Sequence, residues 1–353
     1  MSTISMCMIV KNEERILKRC LDSYSGLFDE IIIVDTGSTD KTKEIAAAYT
    51  DKIYDFEWIN DFAAARNFAF SKATCDYIFS ADADEVLDEK NYNAFAKLKQ
   101  VLLPEIEIVQ MKYVNCTDFN TVYNSDKELR PKLFKRLRTF TWQSPIHETI
   151  RTEPVVFNSD IEILHMPESL HAGRDFDVFI NAINSQTKLQ NYVLIMFCKE
   201  LWIAGTKQDF IKTKDIFENV LLNEYPDCNE EITCILARIY RLTDNFNEFM
   251  KICLKAVSTN PCSEICLELG EYYYALGDYN EAITWFINAA FETKSILDIH
   301  SGNDTPMLRL ADCYNNLAQL ALSENDVLLH NFFADKAEEY TTQGREWKLP
   351  EEL

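Results

Sequence analysis

The chain has 353 residues, of which 47% are hydrophobic and 26% are charged, and its formal net charge is −22. This composition is typical of a globular protein and excludes a disordered or collagen-like chain, and the length favours two domains over one. The acidic balance disfavours nucleic acid and anionic membrane surfaces as partners, because phosphate groups are bound through clustered lysines and arginines.

Neither a targeting signal nor a membrane span is predicted. The sequence contains no run of 18 or more apolar residues, and the apolar stretch 4–10 is followed directly by charged and polar residues, unlike a secretory signal. We therefore expect a cytoplasmic protein with no integral membrane segment. Its 11 cysteines are expected to be reduced core thiols, with Cys262 and Cys266 sharing a helix face rather than binding a metal.

Strand and helix patterns alternate through the first part of the chain. Apolar or β-branched runs predict strands at residues 4–10, 30–34, 52–56 and 76–80. Helical spacing predicts helices at residues 13–24, 39–48 and 61–72, the last with Asp61 as its N-cap. This alternation predicts a mostly parallel sheet whose ligands lie beyond the carboxyl ends of the strands, and Asp35 and Asp82 follow two of those ends.

The pattern changes after residue 107. Short β-like runs at residues 108–114, 132–137, 146–152 and 161–165 predict an antiparallel extension of the same sheet. After residue 171 the strand patterns stop, and helical patterns continue through the rest of the sequence. We therefore expect an α/β domain over residues 1–190 and an all-helical domain over residues 191–353.

A weak internal repeat occurs in the helical region. Segment 242–248 (LTDNFNE) resembles segment 276–281 (LGDYNE), with the leucines 34 residues apart and the Asn-Glu pairs 33 residues apart. This spacing is that of the tetratricopeptide repeat, a helical hairpin that buries its apolar face by stacking on its neighbours. An ordinary helical bundle is the alternative.

Two carboxylates follow the predicted strand 76–80. Asp82 and Asp84 are separated by Ala83, and two such groups would repel each other unless a cation neutralised them. Hard divalent ions such as Mg²⁺ and Mn²⁺ take oxygen ligands of this kind. The triplet therefore predicts a divalent-metal site that binds a diphosphate, with a solvated turn as the alternative for so short a motif.

Three other segments accompany this triplet, namely 10–13 (VKNE), 34–40 (VDTGSTD) and 61–67 (DFAAARN). In this order and spacing they resemble the family 2 glycosyltransferases, whose catalytic domain has the GT-A nucleotide-sugar fold, a mixed sheet with a Rossmann-like first half. The resemblance is closest to the branch in which tetratricopeptide-like helices follow this domain. It implies a GT-A α/β domain, a nucleotide-sugar donor and a Mn²⁺ or Mg²⁺ ion.

By position, the resemblance implies roles for individual residues. The nucleotide sugar would contact Val10, Asn12, Glu13, Asp35, Arg66, Asp82 and Ala83. Asp84 would be the main protein ligand of the metal, and Asp82 would face both the ion and the ribose. Other roles remain open, because the Asp35 segment also suits a turn and helix cap, and Arg66 also suits a surface pair with Glu57 or Asp61.

A second cluster, 142–148 (WQSPIHE), follows a basic stretch. In the branch that the chain resembles, a tryptophan and a His-Glu pair lie near the acceptor, which implies that Glu148 is the base that deprotonates the incoming nucleophile. His147 would orient Glu148 or contact the diphosphate, and Trp142 would stack on a sugar face. The alternatives are an ion pair of Glu148 with a nearby Arg or Lys, and burial of Trp142 in the core.

A histidine is implied as a further metal ligand. In many proteins of this fold, a histidine after the second half of the sheet completes the metal shell. His165 follows a predicted strand and is the expected ligand, with His171 as its substitute. A capping or solvent-exposed role for His165 is the alternative.

The residues and the resemblance together imply a metal-dependent inverting glycosyltransferase. The donor would be a UDP-hexose or UDP-N-acetylhexosamine. The acceptor would be a Ser, Thr or Cys side chain of a polypeptide docked by the helical domain, because stacked hairpins form an elongated concave surface. The alternatives are transfer to a lipopolysaccharide core or another glycan, and a non-catalytic adaptor with a relict nucleotide-binding domain.

Two related activities are disfavoured. Nucleotidyltransferases bind the nucleotide through a glycine-rich loop after the first strand, and the segment 10–13 contains no glycine. The Gln-x-x-Arg-Trp segment of processive polysaccharide synthases is also missing from the sequence.

Overall fold

The computed structural model describes residues 2–115, 127–153, 155–167, 172–184, 189–221 and 224–348. The chain divides into two compact units, Met1–Leu189 and Gln190–Leu353. The first unit is built on a β-sheet with helices on both faces, and the second unit is helical. The predicted order, an α/β region followed by an all-helical region, is confirmed.

The sheet of the first unit contains eight strands among the described residues. Their bounds are β1 Ile4–Val10, β2 Glu30–Asp35, β3 Ile53–Asp55, β4 Tyr77–Ala81, β5 Glu85–Val86, β6 Ile108–Asn115, β7 Lys127–Lys135 and β8 Val156–His165. The spatial order is β3-β2-β1-β4-β7-β6-β8-β5. The first four strands in this order are parallel, whereas β7 is antiparallel to both β4 and β6. The predicted mixed sheet, with a parallel first half and an antiparallel extension, is confirmed.

Helices pack on both faces of this sheet. The helices of this unit are α1 Leu17–Ser23, α2 Thr42–Ala46, α3 Phe62–Lys72, α4 Glu89–Val101 and α5 Ala172–Asn184. Side chains of β1 alternate between two hydrophobic clusters, with Met6 and Met8 in the cluster that includes α1 and α4 and Cys7 in the cluster that includes α3. Because both faces are covered, the parallel strands are apolar almost throughout, and this is the signal that identified them in the sequence.

The strand register brings the predicted ligand-binding ends to one edge of the sheet. Val10 pairs with Asp35 across β1 and β2, and Met8 pairs with Ala81 across β1 and β4. Asp35 is the last residue of β2 and Asp82 follows β4 directly. Both side chains therefore belong to the carboxyl edge of the parallel strands, where open α/β sheets bind their ligands.

The predicted strand at residues 146–152 is wrong. This segment is a loop with an isolated antiparallel bridge between Gln143 and Thr149. Ser144 and His147 have positive φ angles of 74° and 46°, which interrupt an extended backbone, and Pro145 lacks the N–H that a ladder needs. The isoleucines that suggested a strand are buried by the loop instead.

The second unit is built from helical hairpins. Its α-helices in the described part of the chain are α6 Asn191–Ala204, α7 Lys207–Ile216, α8 Asn229–Leu242, α9 Phe246–Thr259, α10 Ser263–Ala275, α11 Tyr279–Ile287, α12 Asp304–Ser323 and α13 Val327–Glu346. Among the described residues of both units, no helix combines the length and apolar character needed to span a membrane.

Three of these hairpins turn in the same way. In each turn one residue has a positive φ angle, namely Asp244 (55°), Gly277 (78°) and Asn325 (61°). The next residue donates its backbone N–H to a carbonyl five residues earlier: Asn245 to Tyr240, Asp278 to Tyr273 and Asp326 to Ala321. The first two turns are the repeated segments found in the sequence. The third joins helices of 20 residues each, so the repeat spacing is lost there.

Candidate functional site

Asp35 is the last residue of β2. One of its carboxylate oxygens accepts hydrogen bonds, and the other has no hydrogen-bond partner in the described part of the chain. The residue is 1% exposed. Its Oδ1 accepts hydrogen bonds from the backbone N–H groups of Gly37 and Ser38 at 3.0 and 2.9 Å, in a turn where Gly37 has a φ of 103°. Its Oδ2 is buried and has no hydrogen-bond partner among the residues described. Since a buried oxygen of this kind is costly to leave unbonded, it is suited to a donor group on a ligand.

The loop after β1 is tied to the loop after β2 through Asn12. This residue has a positive φ of 58°, and its Oδ1 accepts the backbone N–H of Thr39 at 2.8 Å, while its own N–H donates to Oγ of Ser38 at 2.9 Å. Two further bonds join the same loops, from the Glu13 N–H to Thr42 Oγ1 at 2.7 Å and from the Thr36 N–H to the Val10 carbonyl at 3.0 Å. The residues predicted to border the nucleoside therefore shape the two loops beside Asp35.

Arg66 joins two of the predicted acidic residues. It lies on α3, with Nη2 at 2.8 Å from Oδ1 of Asp82 and Nε at 2.6 Å from Oε1 of Glu148. Its Nη1 also donates to Oγ of Ser80 at 3.2 Å. The side chains of Arg66 and Glu148 are only 13% and 14% exposed. Arg66 is therefore a largely buried bridging residue and not half of a surface ion pair.

Arg66 and Asp82 stabilise each other's ionised forms. Burial opposes the charge on Arg66, but the attraction of Asp82 and Glu148 outweighs burial and raises the pKa of Arg66 above its usual value. Burial also opposes the charge on Asp82, yet Arg66 and Lys132 hold the pKa of Asp82 below its usual range. Arg66 and Asp82 therefore stay ionised at neutral pH.

Asp84 and His165 form the second part of the candidate site. Nε2 of His165 lies 3.1 Å from Oδ2 of Asp84, and the His165 ring packs on Tyr113 with 4.9 Å between ring centroids. Strand pairing brings them together, because Glu85 on β5 is opposite His165 on β8 and the Met166 N–H donates to the Asp84 carbonyl at 2.8 Å. Oδ1 of Asp84 is buried and has no hydrogen-bond partner within the described segments.

The atoms of Asp84 and His165 fit a divalent cation. Two neighbouring ligands at about 2.1 Å from an octahedral Mg²⁺ lie about 3.0 Å apart, and Oδ2 of Asp84 lies 3.1 Å from Nε2 of His165. The unbonded Oδ1 of Asp84 is a further oxygen that a cation would satisfy. The donor set, a carboxylate and an imidazole, suits Mn²⁺ as well as Mg²⁺.

The other predicted ligands are placed differently. Asp82 is bound to Arg66, and among the described residues its carboxylate does not form a compact group of ligand atoms with Asp84 and His165. Its neighbour Ala83 is 5% exposed and packs in a hydrophobic cluster, and a contact of Ala83 with the nucleotide sugar stays a prediction. His171, the predicted substitute for His165, lies outside the described residues.

A buried ion pair next to the two aspartates was missed in the sequence. Glu85 is fully buried, and Nζ of Lys132 lies 2.7 and 2.9 Å from its two oxygens. Oε2 of Glu85 also accepts the backbone N–H of Asp82 at 3.2 Å. Burial raises the pKa of Glu85, and Lys132 only partly offsets this effect. The sequence signal for this ion pair was Lys132, which lies between Pro131 and Leu133 in the predicted strand 132–137.

Trp142 faces the core on one side and Arg66 on the other. Its ring centroid lies 5.9 and 5.7 Å from those of Phe70 and Phe134, and the guanidinium of Arg66 lies 5.3 Å from it. Asn67 holds the Trp142 backbone through hydrogen bonds of 2.8 and 3.0 Å. Trp142 therefore contacts both the core and Arg66, and its stacking on a sugar face stays a prediction.

His147 turns away from the Arg66 bridge. Its ring packs on Phe179 of α5, with 5.6 Å between centroids. The positive φ of His147 lets the loop direct Glu148 to Arg66 while His147 contacts α5. A contact of His147 with a diphosphate stays a prediction.

Comparison with known proteins identifies the family of the first unit. Residues 5–162 match the family described as glycosyl transferase family 2. The first unit carries a family 2 glycosyltransferase domain. Residues 263–290, which include α10 and α11, match the tetratricopeptide repeat. The predicted family, its GT-A fold class and the helical repeat are confirmed.

Curated relatives of this glycosyltransferase domain are similar over part of their length. A TPR repeat-containing protein of Synechococcus elongatus is 33% identical over 162 residues, which are 42% of this chain and 36% of that protein. The SPbeta prophage-derived glycosyltransferase SunS of Bacillus subtilis is 31% identical over 162 residues, covering 45% of this chain and 36% of that protein. The chain therefore spans about a third of the length of these relatives.

Solved structures with a similar chain course have low sequence identity to this chain. One is S. aureus TarS 1–349 in complex with UDP-GlcNAc, 11% identical, covering 96% of this chain and 92% of that chain at a TM-score of 0.37. Another is the glucosyl-3-phosphoglycerate synthase of Mycobacterium tuberculosis with Mn²⁺ and UDP-glucose, 24% identical, covering 32% and 44% at a TM-score of 0.28. Similarities this low carry no argument about the site or its substrates.

Proposed function

We propose that this chain is an inverting glycosyltransferase that uses Mn²⁺ or Mg²⁺ to transfer a sugar from a UDP-hexose or UDP-N-acetylhexosamine. The observation that carries the proposal is the pair Asp84 and His165, because Asp84 keeps a buried, unbonded oxygen beside the imidazole nitrogen. The family match of residues 5–162 supports the reaction class.

Asp84 and His165 would hold the metal at the edge of the sheet. When bound there, a divalent ion would stabilise the negative charge on the departing diphosphate. Asp82 would keep its bond to Arg66 and contact the ribose or the ion with its other oxygen. Asp35 would accept a donor group of the base or ribose at Oδ2, which has no partner in the described chain.

Glu148 would act as the base. Its ion pair with Arg66 keeps the carboxylate oriented at the site, and an inverting transfer needs one base to take the proton of the attacking group. The proton would pass from the acceptor hydroxyl or thiol to the Glu148 carboxylate as that oxygen or sulfur attacks the sugar. Because the attacking oxygen or sulfur would approach the anomeric carbon from the face opposite the leaving diphosphate, the sugar–diphosphate bond would break as the new bond forms, and the configuration would be inverted.

A polypeptide is the acceptor that we favour. The support is the helical second unit, because tetratricopeptide hairpins form concave surfaces suited to extended peptides. On a polypeptide, Ser, Thr and Cys side chains offer the hydroxyl or thiol that a carboxylate base would deprotonate as it attacks. Transfer to a glycan is the competing proposal, and a non-catalytic adaptor is the other.

The experiment that tests the metal assignment compares Asp84→Ala with the control Asp160→Asn, which changes a side chain that is 98% exposed. Donor turnover is measured with Mn²⁺ and a panel of UDP- and GDP-sugars. We expect Asp84→Ala to lose turnover by at least about 100-fold and Asp160→Asn to keep it. Undiminished turnover in a folded Asp84→Ala protein contradicts the metal site.

Donor and acceptor are identified by two further measurements. A cognate donor at 100 times its Kd stabilises the folded protein by about 2.7 kcal/mol, so the shift in melting temperature ranks the sugars, and no Mn²⁺-dependent shift with any of them supports the adaptor. Synthetic peptides with Ser, Thr or Cys are then compared with free oligosaccharides as acceptors, and mass spectrometry locates the added sugar. Transfer to oligosaccharides alone contradicts the polypeptide acceptor and leaves the glycosyltransferase assignment intact.

A further inference from the structure

Two buried thiols lie side by side in the helical unit. Cys234 is on α8 and Cys262 directly precedes α10, and their Sγ atoms are 3.4 Å apart. Cys234 is fully buried and Cys262 is 6% exposed. A disulfide has an S–S length of about 2.05 Å, so a movement of about 1.4 Å, within reach of side-chain rotation, would bring the sulfurs to bonding distance.

A metal ion bound by the two thiols is the alternative to a disulfide, and the contacts of the neighbouring Glu264 disfavour it. Glu264 brings a carboxylate oxygen close enough that, with the two sulfurs, the three atoms lie within 4.8 Å of one another. However, Oε1 of Glu264 accepts the backbone N–H groups of Ile296, Leu297 and Asp298, and Oε2 accepts that of Ile296 as well. A structural zinc site takes four ligands, and this carboxylate is already used to hold the chain at residues 296–298.

We infer that Cys234 and Cys262 are a redox-modification site, which hydrogen peroxide converts to a disulfide. A small uncharged oxidant suits a pair of which one thiol is 6% exposed and the other is buried. Cys262 is the more exposed of the two thiols, so it is the one that meets the oxidant first and attacks it. Burial raises the pKa of Cys234 and keeps that thiol protonated until the second step.

The reaction balances in two steps. The Cys262 thiolate attacks one peroxide oxygen, the O–O bond breaks, and the products are a sulfenic acid and a hydroxide ion that takes the thiol's proton to become water. The sulfur of Cys234 then attacks the sulfenic sulfur, the S–S bond forms, and the S–O bond breaks as a second water leaves with the Cys234 proton. The two cysteines lose two electrons and the peroxide gains them.

The bond would close the hairpin formed by α8 and α9 onto the start of α10. It would therefore fix one repeat hairpin against the next, and the closed loop would restrict the unfolded chain. This inference does not depend on the proposed transfer reaction, because neither thiol belongs to the first unit.

The test treats the reduced full-length protein with hydrogen peroxide and blocks the remaining thiols with N-ethylmaleimide after denaturation. Digestion and mass spectrometry then identify linked peptides. We expect the Cys234–Cys262 linkage to exceed every other linkage at least tenfold, to disappear with dithiothreitol and to raise the melting temperature. Cys262→Ser and Cys234→Ala should each lose the linkage, whereas Cys313→Ser, which removes a buried thiol of α12, should keep it.

Three results would overturn the inference. The first is a protein that keeps its circular dichroism in peroxide and forms no Cys234–Cys262 linkage. The second is linkage of Cys262 to Cys253 or Cys266 in comparable amounts. The third is one equivalent of Zn²⁺ that survives dialysis and protects both thiols from N-ethylmaleimide, which would make the place a metal site.

Discussion

Nε of Arg66 lies 2.6 Å from Oε1 of Glu148, although the two residues are 82 positions apart in the sequence. The same guanidinium binds Asp82 through Nη2 at 2.8 Å. One planar group therefore links the aspartate at the end of β4 to the carboxylate that we propose as the base. This link makes the position of the Glu148 carboxylate dependent on Arg66 and Asp82, the residues that we propose to contact the donor.

The first prediction is that Arg66→Lys lowers the transfer rate by at least about 100-fold, because a misplaced catalytic group can cost that much. A lysine has one ammonium at the end of a flexible chain and cannot bind Asp82, Ser80 and Glu148 together in fixed directions. The rate of sugar transfer and the circular dichroism are measured for the variant. Because the charge is kept, we expect a folded protein whose kcat falls more than its donor affinity.

The control for this prediction is Arg151→Lys, since Arg151 is 80% exposed and pairs with Glu153 on the surface. It should transfer sugar at the rate of the unmodified chain. A rate within threefold of that chain for Arg66→Lys would show that the fixed bridge to Glu148 is not needed.

The second prediction is that Lys132→Met destabilises the first unit by about 3–5 kcal/mol, because it leaves the Glu85 carboxylate buried without its partner. Urea unfolding followed by tryptophan fluorescence measures the change. The double variant Lys132→Met with Glu85→Gln should recover part of the loss, since no uncompensated charge remains. Equal losses in the single and the double variant would contradict this reason for the destabilisation.

The fold was largely predictable because its signals are local. The β-branched run that ends at Asp35 and the cap at Asp61, which accepts the Ala64 N–H at 2.9 Å, depend on neighbours in sequence. These patterns identified the parallel strands and their carboxyl edge, and with them Asp35, Asp82 and Asp84. The prediction of a strand at 146–152 failed because Ile146 and Ile150 are buried by a loop, and their spacing is also that of two residues on one face of a strand.

The partners within the site were less predictable because they depend on contacts between distant segments. Glu85 meets Lys132 across 47 positions, and this pairing requires the register of β4 with β7. Glu148 meets Arg66 at the end of a loop in which Ser144 and His147 have positive φ angles. Neither the strand register nor these φ angles can be deduced from the composition or the hydrophobic periodicity of the segments.

The third prediction concerns Glu30, which joins the start of β2 to the starts of β1, β3 and β4 at the edge of the sheet opposite the candidate site. Its carboxylate accepts hydrogen bonds from Ser5, from Lys52 and from both the N–H and the hydroxyl of Thr74. Burial opposes its charge, but these bonds together lower the pKa of Glu30 from 4.5 to about 2. The side chain is 4% exposed, so solvent screens these bonds little.

The sign of the pH effect follows from this shift. Because the pKa is lower in the folded chain, the unfolded chain binds more protons between about pH 4.5 and 2, so stability from Glu30 is complete above pH 4.5 and is lost as the pH falls toward 2. The shift corresponds to roughly 2–4 kcal/mol. Glu30→Gln should lower the free energy of unfolding at pH 7 by an amount of this order and flatten its fall between pH 5 and 3. Urea titrations at each pH measure both effects, with the exposed Glu105→Gln as the control, and a Glu30→Gln protein that retains the full acid dependence would refute the assignment.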